Sequence, residues 1–222
     1  MRTGHLVGST GLFPHIPSYL GTYGSLIQQQ LTMALLSVLF GFIAALPISL
    51  LCVRFPKIYP AMVALVTVIY SLPSIALFVL LVPSTGLTQT TVIIPLSFYS
   101  LAALVPNIVE GIRGIPEDVR LAAVAMGYTG TRRVFGVDLP LAVPPIMAGL
   151  RVATVGNISM VSVGTVIGVG AFGALFTAAA QLSRSDLAVT GIVVIVALAL
   201  ACDLLLVIIQ RLLTPWNKRR SA

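Results

Sequence analysis

The sequence predicts an all-α integral membrane protein, with about five helices crossing the bilayer and one polar loop standing off one face. Three observations predict it. Only 9% of the residues are charged against 58% hydrophobic and the mean hydropathy is +1.06, whereas water-soluble domains carry ~25% charged residues. The apolar residues gather into runs that can each cross ~30 Å of hydrocarbon at ~1.5 Å per residue. The basic residues stand at the ends of those runs. They form no stripe with interleaved aromatics, so the net charge of +7 does not describe a nucleic-acid surface.

Taken in order, residues 1–27 read as a mostly irregular tail on the outer side, residues 28–213 as the membrane domain and residues 214–222 as a basic tail. The opening stretch has one arginine and scattered Gly, Pro and His, and lacks the compact apolar block of a signal peptide. His5 and His15 lack metal-ligand spacing. The first span, residues 31–53, follows Gln28-Gln29-Gln30 and stops at Arg54-Phe55-Pro56-Lys57, where cations and a proline end it.

The second span, residues 58–82, carries Ser71-Leu72-Pro73-Ser74 at its middle. A proline there removes a backbone hydrogen bond and bends or splits the helix. The third, residues 91–109, contains Pro95 and Pro106 and gives way to a polar loop over residues 110–142. Hydrophobicity resumes at Pro144-Pro145 and runs to about Val169, followed by a small-residue segment over residues 170–185. The fifth span is residues 187–213, closed by Lys218-Arg219-Arg220. Cys52 and Cys202 both fall in membrane segments and read as small apolar fillers, outside any disulfide framework.

Cationic flanks resist translocation, so the side that holds most Lys and Arg is the inner one. Of the 13 such residues, Arg54, Lys57, Arg113, Arg120, Arg132, Arg133, Arg151, Arg211, Lys218, Arg219 and Arg220 all assign to one side, leaving Arg2 and Arg184 on the other. That places the N-terminus outside and the C-terminus in the cytoplasm of a multi-pass protein of the cell membrane.

The polar loop is where the sequence is most specific. After Pro116, residues 117–126 are good helix formers, Gly127 interrupts them, and a second short helix runs from Thr131 towards Val137, expected to stop before Pro140. Leu121, Ala122, Ala123, Val124 and Met126 give the first helix a small apolar surface. Two readings stay open from periodicity alone: a soluble partner covers that surface, or the helix lies on the inner leaflet with Arg120, Arg132 and Arg133 against lipid headgroups.

The run Leu121-Ala122-Ala123, three residues, Gly127, nine residues, Val137, one residue, Leu139-Pro140 resembles the EAA loop of the permease subunits of ABC importers, with Leu121 in place of the usual glutamate and Val137 in place of isoleucine. The stretches from Tyr70 to Phe78, from Leu139 to Arg151 and from Ile167 to Gly173 are similar to permeases of osmoprotectant importers, which handle glycine betaine, carnitine, choline or proline.

The resemblance implies a type I importer fold and a permease with no ATPase of its own. It also implies a coupling loop made by Glu117, Arg120, Leu121, Ala122, Ala123, Gly127, Val137, Leu139 and Pro140, in which Glu117 or Asp118 substitutes for the missing glutamate or the docking is more apolar. The implied partners are two ATPase subunits carrying ATP and magnesium, a second permease chain, identical or homologous, and an extracytoplasmic substrate-binding protein, all set in membrane lipid. The chain itself has no phosphate-binding Walker A pattern, since Lys57 and Lys218 lack the glycine cradle.

Ser71, Pro73, Ser74, Asn157 and Ser159 sit at membrane depth and are the candidate contacts of the translocation path, with interhelical hydrogen bonding as their plainer role. Gly164 and Gly168 form a small-residue pair suited to helix contact within the chain. Asp203, an acid in the last span, calls for a structural partner or a place near the span's end. Two alternatives remain at this stage: a permease for another small solute such as methionine, and an ion-driven secondary transporter, which would carry coupling carboxylates at mid-membrane.

Overall fold

Among the described residues, four helices are long and apolar enough to cross a bilayer singly, and a bent helix pair has the length and composition for a fifth crossing. The structure, a computed structural model, describes residues 16–215, with side chains from Gly24 onward; His5, His15, Arg2 and the Lys218-Arg219-Arg220 cluster lie outside the described residues. The elements in chain order are α1 (Ile16–Arg54), α2 (Tyr59–Ser71), α3 (Ser74–Thr85), α4 (Gln89–Arg113), α5 (Glu117–Ala125), α6 (Gly130–Arg133), α7 (Leu139–Leu141), α8 (Val143–Val161), α9 (Gly173–Leu182) and α10 (Ser185–Leu213).

The first helix starts earlier than the sequence suggests. The expected irregular tail gives way to α1 at Ile16, and further along that helix Leu26 and Ile27 already pack against the core. The second span is split, not merely bent: α2 and α3 meet at 85°. Leu72 and Pro73 are extended between them, and the freed Leu72 carbonyl accepts a hydrogen bond from the Tyr99 hydroxyl at 2.5 Å. A broken helix in lipid needs such replacement partners for its backbone.

α4 is the most enclosed span and α10 the least. Two apolar clusters lie along α4, one around Met33, Phe78, Leu96, Ile158 and Phe172, the other around Cys52, Leu104, Ile108, Ile112 and Ile146. Lipid tails are as apolar as leucine, so helices in a bilayer are held by close packing more than by water exclusion. Gly41 shows this, since a Cβ there would stand 2.6 Å from the Ser100 Cβ of α4. Gly149 does the same on α8, where a Cβ would come within 2.9 Å of the Asn107 Cβ.

Two local expectations are corrected. The chain does not leave helical geometry before Pro140: a wide turn, Val134–Asp138, leads into α7. Pro140 occupies an opening position there, where its missing N–H has no bond to lose. Within the small-residue segment 170–185, α9 forms over Gly173–Leu182. The Gly164 and Gly168 pair does not share one helix face. Gly164 faces α4, where an added Cβ would lie 2.8 Å from the Val92 Cγ2, while Gly168 is left-handed at φ +76 and ends the tight turn Ser162–Ile167.

Candidate functional site

The polar loop is built from helix-terminus chemistry. Pro116 precedes α5, and Glu117 and Asp118 fall in its first turn, where the N-terminal end of the helix dipole favours negative charge. Ala123 is the residue by which α5 rests on the protein, at 1% exposure, while Leu121, Val124 and Met126 project outward at 62%, 46% and 71%.

Gly127 adopts φ +84. Its N–H bonds the Val124 carbonyl at 2.9 Å and the Tyr128 N–H bonds the Ala123 carbonyl at 3.0 Å. This paired pattern is the Schellman ending, which needs a left-handed residue at that place.

The second half of the loop folds back on the first. A Cβ on Gly136 would stand 3.0 Å from the Tyr128 ring, and the Arg132 guanidinium lies over that ring at 5.3 Å. Arg133 reaches Asp138 at 3.4 Å, with Asp138 at 3% exposure and its second oxygen unpaired.

Arg120 turns inward and donates to the Ile112 carbonyl at 2.5 Å. Of the three arginines, Arg120 is thus tied to the end of α4, while Arg132 over Tyr128 remains exposed and Arg133 beside Asp138 is half-buried. Glu117, Leu121, Ala122 and Gly127 face outward, whereas Ala123 is buried and Arg120, Val137, Leu139 and Pro140 are half-buried against the body of the protein. Tyr128, Gly136 and Asp138 escaped the sequence reading; the glycine is visible there only as one among many.

At membrane depth, α2, α4 and α8 enclose a cleft of about 320 Å³. Asn157 lines it, at 3% exposure, and donates to the Ser100 hydroxyl at 2.9 Å and the Leu96 carbonyl at 3.4 Å. The other path candidates do not line it. Ser71 is exposed and bonded to the Thr67 carbonyl, Pro73 stands at the helix break, half-buried Ser74 opens α3, and Ser159 lies on the open face of α8, bonded to the Val155 carbonyl.

Two polar links elsewhere hold the spans together. Asp203 on α10 accepts two hydrogen bonds from Arg151 on α8, at 2.6 and 2.8 Å. Asp203 thus has the structural partner expected for it, and Arg151, assigned by charge to the membrane's edge, lies nine residues into α8. Gln30, fully buried on α1, donates to the Ile158 carbonyl at 2.6 Å and to the Ser162 hydroxyl at 3.3 Å, and accepts from the Phe172 N–H at 3.3 Å. Nothing in the run of three glutamines singled it out.

Comparison with known proteins agrees with this architecture. The "Choline transport system permease protein OpuBB" of Bacillus subtilis is 30% identical over 93% of this chain and 97% of its own length. The "Osmoprotectant import permease protein OsmW" of Salmonella typhimurium is 31% identical over 88% of this chain and 93% of its own. Among solved structures, an inward-facing MetNI methionine ABC transporter chain superposes with a TM-score of 0.78 at 23% identity, covering 90% of this chain and all of that one; at that identity the likeness is one of fold. Residues 29–219 match the family described as "Binding-protein-dependent transport system inner membrane component". Broken span, polar loop and helical membrane body thus have one explanation, and the chain belongs to that family as a permease of an ABC importer.

Proposed function

We propose that this permease forms the membrane path for a compatible solute such as glycine betaine, carnitine, choline or proline. Two ATPase subunits, which carry the ATP and magnesium, press on the α5 loop from the cytoplasm. A second permease chain completes the path, and a separate binding protein delivers solute from outside. The N-terminus then lies outside and the C-terminus inside, in keeping with the positive-inside bias.

The observation that carries the coupling role is the loop's build. A short helix is stopped by a left-handed glycine and presents Leu121, Val124 and Met126 to a partner. Leu121, where the family has glutamate, makes that contact apolar, with Glu117 and Asp118 flanking it in the same helix. ATP-driven closure of the partners moves the loops together and rocks the spans between outward-open and inward-open states, as alternating access requires.

The solute class is supported by the relatives named for choline and osmoprotectant transport. An ion-driven carrier is disfavoured, because Asp203 is held by Arg151 and offers no free coupling carboxylate in the spans. The test is co-purification of the tagged chain after mild solubilisation, with uptake of labelled choline and glycine betaine measured in parallel. A Walker A companion and ATP-dependent uptake are expected. Uptake that follows an ion gradient without ATP overturns the proposal.

A further inference from the structure

The cleft between α2, α4 and α8 has features that a packing defect lacks. Its volume of about 320 Å³ falls within the ~300–1,000 Å³ of small-molecule sites. None of the residues lining it is charged. Tyr70 and Tyr99 form a corner in it, with ring centroids 5.6 Å apart and planes at 68°. Tyr99 is buried and pinned by its hydrogen bond to Leu72, whereas Tyr70 is 51% exposed.

Among the described residues, arginine guanidinium groups lie over the rings of Tyr59 and Tyr128, and Tyr70 carries none. Thr67, Ser100 and Asn157 supply polar groups, and Gly156 leaves an opening in which an added Cβ would meet nothing within 4 Å.

We propose that this cleft is a weak binding subsite, within the permease itself, for the methylated ammonium head of the transported solute; the proposal rests on the solute class given above. A quaternary ammonium has no N–H to donate, so hydrogen-bond acceptors recognise it poorly and aromatic faces recognise it well. The Tyr70 and Tyr99 corner offers such faces beside an uncharged wall. The Thr67 hydroxyl suits a hydroxyl or carboxylate tail, and the Asn157 Oδ1, whose amide N–H groups are bonded to Ser100 and Leu96, accepts from a hydroxyl tail. With no acid in the lining the cation is held loosely, which fits a path that solute must leave as readily as it enters.

The test is equilibrium binding of labelled tetramethylammonium to the full-length chain in nanodiscs without a binding protein, alongside choline uptake in cells carrying the whole importer. Saturable binding is expected, competed by choline and not by its neutral isostere 3,3-dimethylbutan-1-ol. Removing the ring in Tyr70→Leu is expected to weaken binding about 2- to 30-fold, while Tyr70→Phe keeps the face and stays near wild type.

Gly156→Leu, where an added Cβ meets nothing within 4 Å, fills the open space and is expected to remove binding, with an unchanged unfolding midpoint as the control against misfolding. No saturable binding, or equal binding by the wild type, Tyr70→Leu and Gly156→Leu, overturns the subsite even where uptake is normal. Binding that depends on Tyr70 in a chain that supports no ATP-driven uptake upholds the subsite and overturns the transport reading instead.

Discussion

Gly127 offers the sharpest probe of the loop. Its φ of +84 places it in the left-handed region, and a Cβ there would meet nothing within 4 Å, so a substitution is opposed by backbone strain alone. A non-glycine residue in that region loses about 1–2 kcal/mol, which is a shift of about 5- to 30-fold against the turn. A β-branched side chain suits that region least of all.

Gly127→Ala should therefore lower uptake several-fold. Gly127→Val should lower it further, and Gly127→Pro should abolish it, since proline cannot supply the N–H that bonds the Val124 carbonyl. The assay is solute uptake in cells, normalised to membrane-inserted protein, together with ATPase stimulation in the purified complex. Insertion should be unchanged, because the loop lies outside the spans. If Gly127→Val transports like wild type, the left-handed turn does not transmit the motor's motion and the coupling assignment fails.

Two further substitutions probe the spans. Gln30→Met keeps the side chain's length but removes its bonds to Ile158, Ser162 and Phe172, and should cost about 1–3 kcal/mol, read as a lower unfolding midpoint in detergent; an unchanged midpoint refutes the clamp. Asp203→Asn strands Arg151 among apolar spans and should reduce the amount of stably inserted protein, while the double change Arg151→Met with Asp203→Leu restores it. Membrane levels that fall further in the double variant would show that the charges do more than neutralise each other.

Some of the architecture could be read before any coordinates. Pro73 announced a break in the second span, Gly127 a helix ending, and the charge pattern the flanks of each crossing. Each signal is local: a missing donor, a permissive φ, a cation that resists lipid. The errors have the same origin in reverse. Pro140 reads locally as a stop, but a wide turn before it places the proline where no donor is needed. Within the small-residue segment 170–185, α9 packs against α10, a tertiary partner that no local pattern announces. In the polar loop, the motif spacing could not tell outward Leu121 from buried Ala123.

By itself the sequence determined the solvent, since so apolar a chain must lie in lipid, and it determined the runs that cross it and the loop that does not. It also carried the motif spacing that points to an importer. Only the tertiary structure decided which polar groups meet. Gln30 finds Ile158 across 128 positions, and Arg151 finds Asp203 across 52. The Tyr70 and Tyr99 corner likewise exists only because α2 stops where α4 passes. Hydrophobic periodicity sets which face of a helix seeks cover, but the neighbour that provides it is chosen by close packing over the whole bundle, and no local pattern encodes that choice.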